Sequence, residues 1–445
     1  MRFPRSNRNT WTLAAVVAVL AATGAAFLVA RGNTPKRTAL VTQPTTTAAA
    51  PPVTTTATPT TTAPVKRTPN HFTVAFYGNT RTRTRDFTAI RSLHPPFKLA
   101  WSFGGNALLE FPATIYGGSL YFIDDGATVK RVNIGTGKRI WQRHMGACKG
   151  CGLSASSPAL DPKRQLLVVS VLSLTGSTIG AVGGEVAAVS MGHRGKILWT
   201  FPVPSGTESS PMIVGNSVYF GDQGGTFYSL NIRTGHENWS FSTGGAIKGG
   251  ADYYDGNLYF GNYAGQFYAV NAKSGHEAWG DSPGGQFYST PAVAFGRVYV
   301  GNKNGDAYAF NARSGAVAWS AGLGEDVYGG PAVADIKGLG PTVYIGSYNG
   351  DLYALDALTG GVRWTAGIPE SISGSATIVN NTVYVSQVYG KGSYGFNART
   401  GKRVFYFDDG SYTTVIANRR DLFLMGKYVL YKFVPHNAKL PTLAK

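Results

Sequence analysis

Four residues able to bind or carry charge recur at one interval: Glu208, Lys248, Tyr288 and Tyr328 stand 40 residues apart. The same register continues to Ser373 and Tyr412, and backward to Ala155 and Leu109. If repeats of that length close about an axis, these positions meet as one ring. Three tyrosines with one acid and one base can hold a polar or planar ligand by ion pairing, hydrogen bonding and stacking, or they can form a solvated rim.

The two cysteines stand as Cys148-Lys-Gly-Cys151. Two thiols alone make a poor zinc site, and no His follows Cys151 as covalent haem attachment requires. A redox Cys-x-x-Cys draws a low thiol pKa from a helix N-terminus. This pair lies in a Gly-rich stretch between strands, so a structural disulfide is expected, in keeping with an exported protein. His236 and His276 each sit in the same turn of their own repeat and are not expected to converge on a metal. The chain contains no nucleophile–His–acid constellation, no phosphate loop and no metal-ligand cluster.

The elements that position the ring are read from tryptophans. Trp101, Trp141, Trp199, Trp239, Trp279, Trp319 and Trp364 are spaced by 40, 58, 40, 40, 40 and 45 residues, and Phe405 takes the same place 41 residues later. Between them, short apolar runs such as Val218-Tyr219-Phe220 and Phe227-Tyr228-Ser229-Leu230 are bounded by Gly and Asn turns. Such runs read as strands of antiparallel hairpins. A period near 40 with four strands per copy is a propeller blade, and blades bury their faces only by stacking around an axis. The last copy, 412–433, has three strands. Phe97–Phe103 is a fourth strand with no first three. Pairing them closes the ring and leaves no open edge, so the expected fold is an all-β, eight-bladed propeller over 97–435 with shared-strand closure.

In such a meander the B–C turns and D–A connections share one end. Five tryptophans precede the opening residue of the next strand A by 12 residues, but Trp141 precedes Pro158 by 17. Ser173–Gly184 carries a second surplus, in a B–C turn. Both insertions fall on the face of the tyrosine ring, and insertions on one face of a repeat array mark a binding face. A smaller insertion, 335–341, lies at the other end.

Charge is uneven. Residues 1–110 hold 13 basic and 2 acidic residues (13 − 2 = +11), and the remainder of the chain holds 28 and 21 (28 − 21 = +7). The excess reads as a topogenic, solvated region and not as a nucleic-acid surface. Arg2, Arg5 and Arg8 in the basic segment 1–10 precede an apolar run, 11–30, long enough to span a bilayer. It is expected to be a signal anchor with the N-terminus inside; cleavage would instead release the protein. No Cys follows it, so no lipid anchor is expected. Residues 31–67, rich in Thr, Pro and Ala, read as a solvated stalk. Segment 68–96, with Arg81, Arg83 and Arg85, has no evident place on the propeller; Phe72–Tyr77 has strand character. Residues 436–445 form a tail.

The phrase Ser/Ala-x-Asn/Asp-x-x-Thr/Ser-Gly-x-x-x-Trp recurs across Ser229–Trp239, Ala269–Trp279, Ala309–Trp319 and Ala354–Trp364. It resembles the pyrroloquinoline-quinone (PQQ) repeat of the PQQ-binding-like propellers, a family that includes the outer-membrane assembly factor BamB and the PQQ-dependent alcohol dehydrogenases. The resemblance covers about residues 97–433 and speaks to fold more than to function. It implies that the seven tryptophans, with Phe405 in their eighth place, dock neighbouring blades. In its enzymes a quinone sits at the propeller centre with a calcium ion, above a Trp and beside an acidic base, often near a disulfide of adjacent cysteines. This chain departs from that pattern. Its tryptophans are used in docking, its cysteines are not adjacent, and Glu208 is the one acid counted in the ring. The resemblance therefore favours a non-catalytic binding or scaffold module of the cell envelope, without cofactor and with protein partners. A quinoprotein dehydrogenase, or a sensor of a small molecule or glycan at Tyr288, Tyr328 and Tyr412, is the alternative.

Overall fold

The computed structural model describes residues 41–42, 72–105, 107–176, 183–413 and 415–438. The expected anchor and most of the stalk lie outside the described residues; among the described residues no helix is long and apolar enough to cross a membrane. Eight antiparallel sheets of four strands, A to D from the axis outward, form an eight-bladed propeller. Blades 1 to 7 span 114–144, 159–203, 212–242, 252–281, 292–322, 332–367 and 377–407. In blade 3, for example, the strands are Met212–Val214, Ser217–Gly221, Thr226–Asn231 and Glu237–Ser242. A two-residue strand, Val41–Thr42, adds to the outer edge of blade 5 opposite Ala321 and Ser320.

Blade 8 is shared between the two ends of the repeat region. Its inner strands Val415–Ala417, Leu422–Met425 and Val429–Pro435 are followed in space by Phe97–Gly104, with Phe97 opposite Pro435 and Gly104 opposite Val429. Strand B in most blades is buried on both faces, Leu120, Phe122, Val218 and Phe220 on one and Tyr121, Tyr219 and Tyr299 on the other, because each sheet is sandwiched between two others.

The tryptophans sit where blade meets blade. The indole N–H of Trp199 donates to Ile232 O of the next blade at 2.8 Å; Trp239, Trp279, Trp319 and Trp364 donate to Ala272, Ala312, Ala357 and Ala398 O at 3.0–3.2 Å. Trp101 and Trp141 do the same to Ile134 and Met191 O at 2.9 and 3.1 Å. The glycine of each receiving C–D turn lies flat on the ring: a Cβ on Gly235 would meet Trp199 at 2.7 Å, and on Gly315 would meet Trp279 at 2.7 Å. At both, φ is positive (74° and 77°), so only glycine meets both demands. Phe405 has no such acceptor. Blade 8 lacks a C–D turn, because its strands C and D come from opposite ends of the chain. Phe405 packs instead on Phe433, Phe97 and Tyr384.

Segment 72–96 fills the axis. Val74 and Ile115 exchange backbone hydrogen bonds at 2.9 Å in blade 1, and Leu160 N of blade 2 donates to Ala75 O. Arg81 Nε donates to Ile213 O of blade 3 at 3.0 Å. Tyr253, Val293, Val333 and Ile378, the corresponding strand-A residues of blades 4 to 7, donate to the carbonyls of Arg81, Thr82, Thr84 and Arg85 at 2.9–3.0 Å. Asp86–Phe87 then runs parallel to Ile378–Val379. Ile90 and Leu93 share a buried cluster with Val415, Ile416 and Ala417 of blade 8. The segment thus circles once inside the ring of strands A, bonding to all eight blades in order. Only isolated bridges at Val74 and Phe76, not a strand, form over 72–77.

Its direction follows from the pairing. Strand A of blade 1 runs from the insertion face to the A–B turn at Gly117-Gly118, and Val74 pairs with it antiparallel. The segment therefore enters from the A–B end, rises to Tyr77 and descends again. It leaves by the same end, where Arg91 O accepts from Asn380 Nδ2 and Ser92 Oγ donates to Arg419 O.

The reading of this basic stretch as solvated fails at two residues. Arg83 and Arg85 are 0% and 2% exposed. Arg83 donates to the carbonyls of Ala251, Ser210 and Tyr77 at 2.8, 2.9 and 3.1 Å, and Arg85 to those of Arg83 and Pro331 at 2.7 and 2.9 Å. Strand-A openings present inward carbonyls that no neighbouring strand satisfies, and a guanidinium with five donors satisfies several at once. Asp252 stands 3.6 Å from Arg83 Nε in a wholly buried pair, and burial pushes its carboxyl well above the usual carboxylate range against the opposing pull of Arg83. Gly250 and Gly330 are small because the two guanidiniums rest on them: an added Cβ would come within 3.1 and 2.3 Å.

Candidate functional site: the axial mouth

The D–A connections bring Glu208, Lys248, Tyr288, Tyr328, Ser373 and Tyr412 to one cavity at the end of the axis, with a volume of about 40 Å³. Its floor is Tyr77, the apex of the axial segment, whose ring carries the guanidiniums of Arg85 and Arg83 at 4.8 and 5.8 Å. Neither Leu109 nor Ala155 lines it. In blade 1 the place belongs to Glu110, while Leu109 is buried. Counting back from Pro112 selects Leu109, whereas counting forward from Trp101, as Trp199 counts to Glu208, selects Glu110. Strand A begins 13 residues after Trp101 as it does after Trp199, so Pro112 stands one place before the equivalent of Pro211, and the tryptophan is the better anchor. Glu208 is thus joined in the mouth by a second acid.

Glu208 is well served. It accepts from Lys248 Nζ at 3.0 Å, Gln223 Nε2 at 2.7 Å and Tyr288 OH at 3.1 Å. Lys248 Nζ also lies 5.3 Å from the Tyr263 ring and 6.0 Å from that of Tyr288. The aromatic rim continues edge-on from Tyr288 to Tyr328 at 5.3 Å, and tilted from Tyr328 to Tyr348 at 4.7 Å. Tyr348 OH donates to Ser373 Oγ at 3.3 Å, and Lys303 lies 5.4 Å from the Tyr328 ring. Tyr263 and Tyr348 come from B–C turns; the register of the D–A connections could not reveal them. Tyr412 holds φ at 63°, a strained setting for an aromatic residue, with its carbonyl pressed where Gly374 has no side chain. Burial raises the phenols of Tyr288, Tyr328 and Tyr412, so they are neutral donors at neutral pH. The Glu110 carboxyl is pushed up to about 8, first by burial and then by the charge of Glu208, against Lys248. The mouth can therefore ion-pair, stack, and donate or accept protons near neutrality.

The insertions of blade 2 join on this same face. Cys148 and Cys151 form a disulfide. Ala147 N and Leu153 N donate to Leu174 O and Ser173 O at 2.8 Å, and Leu172 N donates to Leu153 O at 2.8 Å. His144 Nε2 lies 2.9 Å from Cys148 O. The two insertions are thus stitched to each other, and Ser154 N ties them to the mouth through Asp125 O at 3.1 Å. His236 and His276 remain in separate C–D turns at the opposite end.

An eight-bladed propeller whose blades dock through a repeated tryptophan, closed by a shared outer strand, is a PQQ-repeat β-propeller. The profile of the family described as outer membrane protein assembly factor BamB matches residues 125–249 and 243–425, and the chain belongs to that family. Among solved structures, BamB from Moraxella catarrhalis superposes with a TM-score of 0.62 at 16% identity, over 78% of this chain and 99% of that one. A europium-containing methanol dehydrogenase gives 0.66 at 13% identity, over 82% and 98%. The quinohemoprotein alcohol dehydrogenase of Comamonas testosteroni gives 0.66 at 13%, over 84% and 82%. These likenesses concern the fold. In sequence, 153 residues are 28% identical to the tetrathionate hydrolase of Acidithiobacillus ferrooxidans, covering 32% of this chain and 30% of that protein, so less than a third of the relative's length is matched.

Proposed function

We propose that the chain is a non-catalytic binding module of the cell envelope, held at the membrane by residues 11–30, which engages protein partners with the face bearing the mouth and the stitched insertions. The filled axis is the observation that carries this reading. Where a quinoprotein would seat its quinone and calcium, this chain has laid its own segment, and the remaining cavity of about 40 Å³ has room for about three waters or a small head group. The ring beneath it is Tyr77 and not a tryptophan. Among the described residues no three His, Cys, Asp or Glu side chains converge as a metal site. The residues present do not fit a PQQ–calcium pair.

An enzymatic reading has one observation in its favour. Glu110 keeps its proton to about pH 8 in a cleft, as a general acid must, in a chain that shares a stretch of sequence with a tetrathionate hydrolase. Two assays on the full chain in detergent separate the readings. Titration with PQQ and calcium, followed by quinone absorbance and melting, should give no saturable change. Incubation with tetrathionate should leave it unconsumed. A bound-quinone spectrum or tetrathionate loss that disappears in Glu110→Gln would overturn the non-catalytic reading.

A further inference from the structure

The mouth holds more carboxyl groups than cations. Two carboxyl groups, Glu110 and Glu208, face its cavity, and the one ammonium among the cavity's lining residues, Lys248, is committed to Glu208. Three further lysines nearby are engaged as well: Lys130 with Asp124, Lys303 over the Tyr328 ring and Lys427 over the Tyr428 ring. No salt bridge among the described residues includes Glu110. The charged and titratable groups that face it are Glu208, Lys248, Asp125, Tyr288, Tyr348 and Tyr412. With this set around it the carboxyl stays protonated at neutral pH. Lys248 shows what the missing partner looks like: an ammonium held by one carboxylate and the faces of two tyrosines.

We propose that the mouth is a receptor site for a primary ammonium or guanidinium head group, seated between the Glu110 carboxylate and the rings of Tyr288, Tyr328 and Tyr412. Ring faces attract a cation, and a desolvated carboxylate adds a charge-assisted hydrogen bond. The cavity is too small for more than the head of such a ligand, so the rest of the molecule lies over the rim, beside the insertions. The proton balance is explicit. The neutral Glu110 acid and the incoming cation give a carboxylate–cation pair, and the displaced proton goes to solvent. At about pH 7 a carboxyl that titrates near 8 is roughly nine-tenths protonated, so binding releases nearly one proton per site. This inference rests on the mouth face being the binding face.

The test uses the full chain, titrated by calorimetry with cadaverine and with arginine amide at about pH 7, in two buffers of different ionisation enthalpy. Saturable binding with close to one proton released is expected. Glu110→Gln should weaken binding at least about tenfold and abolish proton release while leaving the melting profile cooperative. Glucose and 1-pentanol, which carry no charge, should not bind saturably. No saturable binding by either amine up to ~10 mM, or equal binding and proton release in Glu110→Gln, would overturn the inference. That outcome is separable from failure of the broader reading, which quinone binding or tetrathionate consumption would expose.

Discussion

Replacing Tyr384 and Tyr344 separately with Phe should move stability in opposite directions. The two tyrosines occupy the same place in successive blades, at the middle of strand B, and both are buried. Tyr344 OH donates to Ala398 O at 2.7 Å, the carbonyl that also accepts from Trp364. Tyr219, Tyr259 and Tyr299 do likewise at 2.9–3.0 Å. Tyr384 faces blade 8, which has no C–D turn and so no such carbonyl, and its hydroxyl has no hydrogen-bond partner among the described residues. The Thr382 hydroxyl lies nearby without completing a bond. Losing a made hydrogen bond costs about 0.5–1.5 kcal/mol, whereas removing a buried unsatisfied hydroxyl recovers about 1–3 kcal/mol. Tyr344→Phe should therefore destabilise by about 1 kcal/mol and Tyr384→Phe should stabilise by at least as much, a separation of roughly 2 kcal/mol. Urea unfolding followed by tryptophan fluorescence reads this as midpoints shifted to opposite sides of the parent at unchanged slope. If both variants lose stability alike, the account of how the blade 7–8 interface differs from the others is wrong.

Three further outcomes are expected. Gly330→Ala places a Cβ 2.3 Å from the Arg85 guanidinium and 2.5 Å from Thr290 O, so it should cost about 1–3 kcal/mol in urea unfolding, while Gly104→Ala, with nothing within 4 Å, should change little. Glu110 binds its proton more tightly folded (about 8) than unfolded, so its stabilising contribution is complete below about pH 4.5 and is lost as pH rises through 8; Asp125 and Asp252, also raised, add to the same slope. Unfolding midpoints measured from about pH 5 to 8.5 should fall, and Glu110→Gln should fall less steeply; an unchanged slope would remove Glu110 from the account. The double variant Cys148→Ser, Cys151→Ser should speed amide exchange at Ala147 and Leu153, with a stability loss of no more than about 2 kcal/mol because the closed loop is so short. A larger loss would mean that the disulfide supports the propeller itself.

What the sequence disclosed was whatever recurs. The 40-residue period, the tryptophan index and the unpaired strand at Phe97–Phe103 reveal eight blades and their closure, because each blade solves the same packing problem with the same residues. The two insertions in blade 2 were legible as departures from that period, and their shared face followed from strand alternation. The axial segment was not legible. It makes a few bonds to each blade, different ones each time, so it carries no period, and its arginines resemble a solvated cluster until their backbone acceptors are seen. The signal existed in fragments: Arg-Thr-Arg-Thr-Arg at 81–85 alternates in a way that suits a narrow ring, and Gly249-Gly250 and Gly329-Gly330 open strands A where other blades carry side chains. Phe405 was legible as the eighth docking position, but the reason it is not a tryptophan was not. It marks the interface where the neighbouring blade offers no turn to receive an indole N–H.

The axial segment also decides how force on the N-terminal side of the chain would reach the propeller. Were the chain to leave directly from Phe97, a tug on its N-terminal side would act on the outermost strand of the closing blade, peeling it from Val429–Pro435 one hydrogen bond at a time. Instead the chain first winds through the hub, where carbonyls and two buried guanidiniums grip strands A of successive blades. If the residues before the segment were a stalk under load, as proposed, that load would be shared among these attachments before any of it reached the closure. Because the segment enters from the A–B end, the load would be drawn from the side opposite the mouth. A propeller moored in that way would keep its cavity and stitched loops turned outward from whatever held it.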